Sequence, residues 1–155
     1  MDDNAAPDEL VRARAEEVLL AWLKETESNP VVDAIVEDTE SDAQRWFVRV
    51  KGDAKDVYSV WFELGQRTLR YETYVLPAPE ENHAAFYEQL LRRNDGLREL
   101  AFTIGDEQAI FLKGRIELGH VDAQALDRIL GTVYDAVERC FEAALKVGFA
   151  SRFIT

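Results

Sequence analysis

Residues 68 to 96 read Thr68-Leu69-Arg70-Tyr71-Glu72-Thr73-Tyr74-Val75-Leu76, then Pro77-Ala78-Pro79, then Glu80-Glu81-Asn82-His83, with the run Phe86 to Asn94 before Asp95-Gly96. The first nine residues are rich in β-branched and aromatic types and alternate with period two. Leu69, Tyr71, Thr73 and Val75 share one face; Thr68, Arg70, Glu72 and Tyr74 share the other. That pattern predicts a strand with one buried face. Pro77 and Pro79 lack backbone donors and restrict the residues before them, so neither strand nor helix runs through them. Pro79 followed by two glutamates fits a helix N-terminus, which predicts that the helix starts near Pro79. On it His83, Tyr87, Leu90, Leu91 and Asn94 fall on one flank with Phe86 beside them, and Gly96 is the expected left-handed cap.

Upstream of this hand-over the sequence reads as a meander. Trp46, Val48 and Val50 alternate with Arg45, Phe47, Arg49 and Lys51; Tyr58, Val60, Phe62 and Leu64 alternate with Val57, Ser59, Trp61 and Glu63. Gly65-Gln66 fits a type II′ link into the strand at Thr68. Short links make consecutive strands antiparallel. Val31 to Val36 is a candidate edge strand, and Asp8 to Glu27 a helix with Val11, Ala15, Val18, Leu19 and Trp22 at helical spacing. Residues 1 to 7 are expected to be disordered, leaving residues 8 to 155 as one domain.

Downstream, Leu100–Ile104 and Ala109–Leu118 read as a hairpin around Gly105-Asp106-Glu107. Asp122 is a natural N-cap for a last helix to about Val147, ended by Gly148, with Leu126, Ile129, Leu130, Val133, Val137, Cys140, Phe141, Ala144 and Leu145 as its apolar stripe. At ~1.5 Å per residue this helix spans about 39 Å, enough to cross a whole sheet. Gly131 inside it predicts a close contact or a slight bend. The expected fold class is therefore α+β: an antiparallel sheet of about five strands, with the helices mainly on one face.

The segments "TLRYETYVLP", "APEENH" and "FYEQLLRRND" resemble the YbjN-domain family of bacterial proteins, labelled sensory transduction regulators. "AFTIGDEQAIFLKGRI", "LDRILG" and "KVGF" extend the resemblance, which covers roughly residues 8 to 150. It implies a fold similar to the small acidic chaperones of type III secretion, and it brings no catalytic residues with it.

The chain of 155 residues carries 30 acidic and 18 basic side chains, a net charge of −12 with neutral histidines. Such a balance disfavours nucleic acid and anionic lipid as partners. No apolar run approaches the ~20 residues that span a bilayer, and the Met1-Asp2-Asp3-Asn4 start lacks the basic flank of a signal peptide, so a cytoplasmic location is expected. With one cysteine, Cys140, no internal disulfide forms. Its mid-helix position on the apolar stripe points to a small buried hydrophobe rather than a nucleophile.

His83 and His120 are the only histidines, and their spacing matches no metal motif, so neither a metal nor a cofactor is expected. His83 is expected to help close the helix entrance by hydrogen bonding, and Asn94 to bond free carbonyls of the helix's last turn. No nucleophile elbow, phosphate loop or dinucleotide fingerprint occurs.

One sheet face, opposite the helices, gathers Phe47, Trp61, Tyr74 and Phe111 among Arg45, Arg49, Arg70, Lys113 and Arg115. Aromatic and arginine side chains on an open face favour a protein interface. Phe47, Trp61, Tyr74, Phe111, Arg45, Arg49, Arg70 and Arg115 are the expected partner-binding residues. The sequence thus points to a non-enzymatic protein-binding module, chaperone-like or regulatory, acting as a homodimer with a further protein partner. The alternative is a sensor that binds an anionic metabolite or nucleotide through Arg45, Arg49, Arg70 and Arg115.

Overall fold

The computed structural model describes residues 5–153. Its elements are α1 (Ala5–Thr26), β1 (Val32–Glu37), β2 (Gln44–Lys51), β3 (Val57–Leu64), β4 (Thr68–Leu76), α2 (His83–Asn94), β5 (Ala101–Ile104), β6 (Ile110–Glu117) and α3 (Ala123–Gly148). Short 3-10 turns cover Asp106–Gln108, Leu118–His120 and Ala150–Phe153. All strand pairs are antiparallel, in the order β1-β2-β3-β4-β6-β5. The sheet therefore has six strands, the candidate edge strand at Val31–Val36 being the sixth. The disorder expected for residues 1 to 7 falls, for residues 1–4, outside the described residues, and α1 is already formed at Ala5.

Period-two alternation sorts the strands as the sequence implies. Trp46, Val48, Val50, Tyr58, Val60, Phe62, Leu64, Leu69, Tyr71 and Val75 are buried on the inner face, with Phe102, Ile110, Leu112 and Ile116 from the second hairpin. Against them lie Ala15, Leu19, Trp22 and Leu23 of α1 and the stripe Leu126 to Ala144 of α3. Phe62 meets Trp22 edge-on at 5.4 Å and Tyr71 at 6.1 Å. Trp22 also donates its indole N–H to Asp127 at 2.8 Å, tying α1 to α3. Val11, expected on this flank, is exposed.

The start of α2 differs from the sequence reading. The helix begins at His83, after Asn82 in the left-handed region (φ 54). Pro79-Glu80-Glu81-Asn82 instead closes the far end of α3. The amides of Glu80 and Glu81 donate to the Gly148 carbonyl at 2.9 and 3.1 Å, and the Asn82 side chain donates to the Val147 carbonyl at 2.9 Å. Glu80 pairs with Arg152, whose hydrogen bond holds the carboxyl below its ordinary pKa, and Glu81 accepts from Ser151. The two carboxylates thus hold the carboxyl-terminal turn instead of facing the dipole of α2. Orphan carbonyls at a helix end need donors, and here residues from the middle of the chain supply them. Asp122 caps the other end as expected, accepting from the Ala125 amide at 2.8 Å.

Four further expectations change. No described glycine has positive φ, so Gly96 is not a left-handed cap: the chain leaves α2 through successive turns, and Glu99 (φ 65) takes the left-handed position. Likewise Gly65 forms no type II′ turn; its amide bonds the Thr68 carbonyl at 2.9 Å while its own carbonyl accepts from Arg12 at 3.1 Å. Leu91 is exposed, so the buried stripe of α2 is Phe86 and Leu90. Gly131 meets no close neighbour, since a Cβ built there finds open space within 4 Å. Gly131→Ala is therefore expected to stabilise the fold by about 1 kcal/mol, read as a raised denaturation midpoint with an unchanged slope.

Candidate protein-interaction face

The outer face is built from the residues that alternate away from the core, and the register places them in rows. One row runs Arg45, Glu63, Arg70, Arg115; the next runs Val36, Phe47, Trp61, Glu72, Lys113, Ala101. A further row brings Tyr74 opposite Phe111 and Thr103 opposite Phe111. Phe47, Trp61 and Phe111 are half-buried, Tyr74 is 45% exposed, and none of the four belongs to the core.

Trp61 is the centre of the face. The Arg45 guanidinium lies 4.9 Å from its ring centre and that of Arg70 5.9 Å, the distance range of cation–π contact. Glu63, next-but-one to Trp61 and so on the same face, takes Arg45 at 2.7 Å and Arg70 at 3.3 Å. Both arginines are thereby fixed over the indole, although the Arg45 Nε is buried without an acceptor. Burial pushes the Glu72 carboxyl up in pKa, against the pull of Lys113, Arg70 and Arg45. Arg49 stands apart, near β1, paired with Asp33 at 3.5 Å. Arg115 and Lys113 form no salt bridge with another described residue.

Beyond Tyr74, at the end of the strands, Lys55 of the β2–β3 turn bridges β4 to α3. Its ammonium donates to the carbonyls of Tyr74 and Val75 at 2.8 and 2.9 Å, where the β4–β6 register shifts. It also lies 5.0 Å from the Tyr74 ring, 5.7 Å from Phe141 and 5.8 Å from Tyr58. Burial lowers its pKa to about 8. Tyr74 in turn meets Phe111 edge-on at 5.6 Å. The sequence signals neither Lys55, which arrives from a turn, nor Val36, whose strand carries a bulge between Val32 and Ala34. Glu63 was legible, because it shares the period of Trp61.

The remaining candidates are structural. Cys140 is fully buried, and desolvation raises its thiol to about 11. His83 and His120 are exposed and on different elements; His83 leans on Tyr87 with ring centres 6.4 Å apart, while the hydrogen bond expected of it comes from Asn82. No group of three metal-ligating side chains converges among the described residues. Asn94 does not bond carbonyls of its own helix; it donates to the Phe102 carbonyl at 3.1 Å and accepts from the Phe102 amide at 2.6 Å, clasping the outer edge of β5. Three clefts lie elsewhere among the described residues: one of about 630 Å³ bordered by Asp8, Arg67 and Glu117, one of about 360 Å³ bordered by Glu25, Asn29 and Asp127, and an apolar one of about 290 Å³ between α2 and β5. None includes any of the eight expected contact residues. No described helix is long and apolar enough to cross a membrane.

Comparison with known proteins agrees with the α+β architecture. The YbjN family model, described as "Putative bacterial sensory transduction regulator", matches residues 16–146. An uncharacterized protein of Mycobacterium leprae is 35% identical over 107 residues, 69% of this chain and 58% of its own length. An uncharacterized protein of Mycobacterium tuberculosis is 36% identical over 104 residues, 67% of this chain and 57% of its own. The chain thus spans under three-fifths of the length of these relatives. Among solved structures, a chain of the heterodimeric complex ExoU-SpcU from the type III secretion system of Pseudomonas aeruginosa superposes with TM-score 0.56 and 16% identity. That match covers 79% of this chain and 93% of the other. At that identity the likeness is one of fold.

Proposed function

The chain belongs to the YbjN family, and from that premise we propose that it is a non-enzymatic protein-binding module, regulatory or chaperone-like, acting as a homodimer in the bacterial cytoplasm. The observation that carries this reading is the Trp61 indole held between Arg45 and Arg70 on a sheet face that no described helix packs against. Partly exposed cation–π contacts and surface ion pairs each contribute only about 0–1 kcal/mol to folding. Aromatic and arginine side chains fixed in place are, by contrast, what binding hot spots are made of. Arg45, Arg49, Arg70, Lys113 and Arg115 outnumber Glu63, Glu72 and Glu117 on this face, with Arg49 paired to Asp33 at its border, within a chain of charge −12. Its natural ligand is a protein segment that offers apolar side chains flanked by carboxylates. The resemblance of fold to a chain from a secretion complex fits such a role without naming the partner.

Affinity capture from the native cell tests this. Wild type is expected to retain a reproducible partner, and Trp61→Ala to weaken it by at least 2 kcal/mol, roughly 30-fold, with thermal stability nearly unchanged. Equal capture by both proteins would place the binding surface elsewhere; no retained partner at all would count against a binding role.

Arg115, opposite Arg70 and in no salt bridge with a described residue, favours one other reading, a sensor for an anionic metabolite or nucleotide. A thermal-shift screen separates the two, because a ligand at about 100 times its Kd adds roughly 2.7 kcal/mol of stability.

A further inference from the structure

Of the five lysines, Lys24, Lys51, Lys113 and Lys146 lie exposed, and only Lys55 is half-buried. The turn that carries it is pinned before the side chain leaves. The Gly52 amide donates to the Asp56 carbonyl at 3.0 Å, and the amides of Asp53 and Ala54 donate to the Glu138 carboxylate of α3 at 3.2 and 2.6 Å. Glycine lets the turn close this tightly, since a Cβ at Gly52 would lie 2.4 Å from the Lys55 carbonyl oxygen. From that base the Nζ reaches the Tyr74 and Val75 carbonyls and sits among the rings of Tyr74, Phe141 and Tyr58. Carbonyls and ring faces suit a cation, but no carboxylate joins them. Lys55 is in no salt bridge with a described residue, and Glu138 is engaged with the turn amides. Burial therefore prevails, and the ammonium is pushed down to about 8.

The valences of the nitrogen show which form the site fits. An ammonium carries three N–H groups and no lone pair, and two of its hydrogens go to the Tyr74 and Val75 carbonyls. Loss of the third proton leaves both bonds intact and frees a lone pair held in a fixed direction. A lysine desolvated in this way is an activated nucleophile, and the side chain is half-buried rather than sealed, so a donor can reach it. We propose that Lys55 is an acylation site, taking an activated acyl group from a thioester or an acyl phosphate. The Nζ lone pair attacks the acyl carbonyl carbon and forms the C–N bond. The C–S or C–O bond breaks, the leaving group departs as thiolate or phosphate, and water takes the surplus proton from nitrogen. The amide keeps one N–H, so one of the two β4 carbonyls is released and the charge facing Tyr74 is gone. The mark thereby reaches the border of the outer face, where Tyr74 meets Phe111.

Competitive labelling of the full chain near neutral pH tests this, with acetyl phosphate in one arm and an uncharged acetyl thioester in the other, resolved residue by residue by peptide mass spectrometry. A larger neutral fraction outweighs the lower basicity of the amine, so Lys55 is expected to gain label about tenfold faster than each of the other four lysines. The charge of −12 repels an anionic donor, so the thioester arm should be the faster. A faster acyl phosphate arm would keep the site and assign the mark to that donor. Glu138→Ala frees the turn and Tyr74→Ser removes one ring, and circular dichroism checks that each variant remains folded. In either folded variant Lys55 is expected to fall back to the rate of the other lysines, although its side chain is then more open. Labelling of Lys55 no faster than the rest in both arms would overturn the proposal. A rate unchanged or raised in the variants would overturn it as well, because simple exposure would then account for the reaction.

Discussion

Phe62→Ala is expected to lower the unfolding free energy by about 3–5 kcal/mol, the range for deleting a buried phenylalanine. Phe62 is completely buried on β3 near the middle of the sheet, packed edge-on against Trp22 of α1 and tilted against Tyr71 of β4. Removing it opens a cavity where the first helix meets the sheet. Trp22 is anchored to Asp127, so it cannot swing in to fill the space without giving up its hydrogen bond. Against a typical stability of about 5–15 kcal/mol the loss is a large fraction. At about 2–4 °C per kcal/mol for a chain of this size, the melting temperature should fall by roughly 6–20 °C. Urea titration followed by tryptophan fluorescence would check it, with the midpoint lowered and the slope unchanged.

Gly114→Ala should cost about 3 kcal/mol, opposite in sign to the same substitution at Gly131. A Cβ at Gly114 would lie 1.9 Å from the Glu99 carbonyl oxygen and 2.8 Å from the Tyr71 ring. The obstacle cannot step aside cheaply. Tyr71 donates its hydroxyl to that same carbonyl at 2.7 Å, Glu99 occupies the left-handed region, and its carboxylate pairs with Arg128 at 3.1 Å. Glycine is required here for close approach, since β6 passes under the α2–β5 connection. Parallel thermal melts of Gly114→Ala and Gly131→Ala would show the two effects separating in opposite directions.

What the sequence disclosed, and what it withheld, follows from the range of the signals. Trp46, Val48 and Val50, or Tyr58, Val60 and Phe62, reveal their face through a period of two within a few residues. The α3 stripe does so with a period near 3.6, and Asp122 announces its cap three residues ahead. The crowding at Gly114 depends on Glu99 from the preceding connection, and the freedom of Gly131 on the absence of a neighbour. Neither is written in local composition. Asn94 looked like a residue serving its own helix because the strand it clasps lies beyond a turn. On the outer face, period two placed Phe47, Trp61 and Phe111 on the side away from the helices. The ladder register, which is a property of pairs of strands, was needed to put Glu63 between Arg45 and Arg70.

The closure of α3 by residues 79–82 has a consequence for how length changes would be felt. The glycine at the end of that helix still belongs to it and carries no left-handed backbone, so no local stop is encoded there. The terminus is defined by a proline linker nearly seventy positions earlier in the chain. Adding or removing one residue in that linker would be a minor edit to a surface connection in most folds. In this one it withdraws the donors from the Val147 and Gly148 carbonyls, and the unwinding would show nearly seventy positions further along the primary structure.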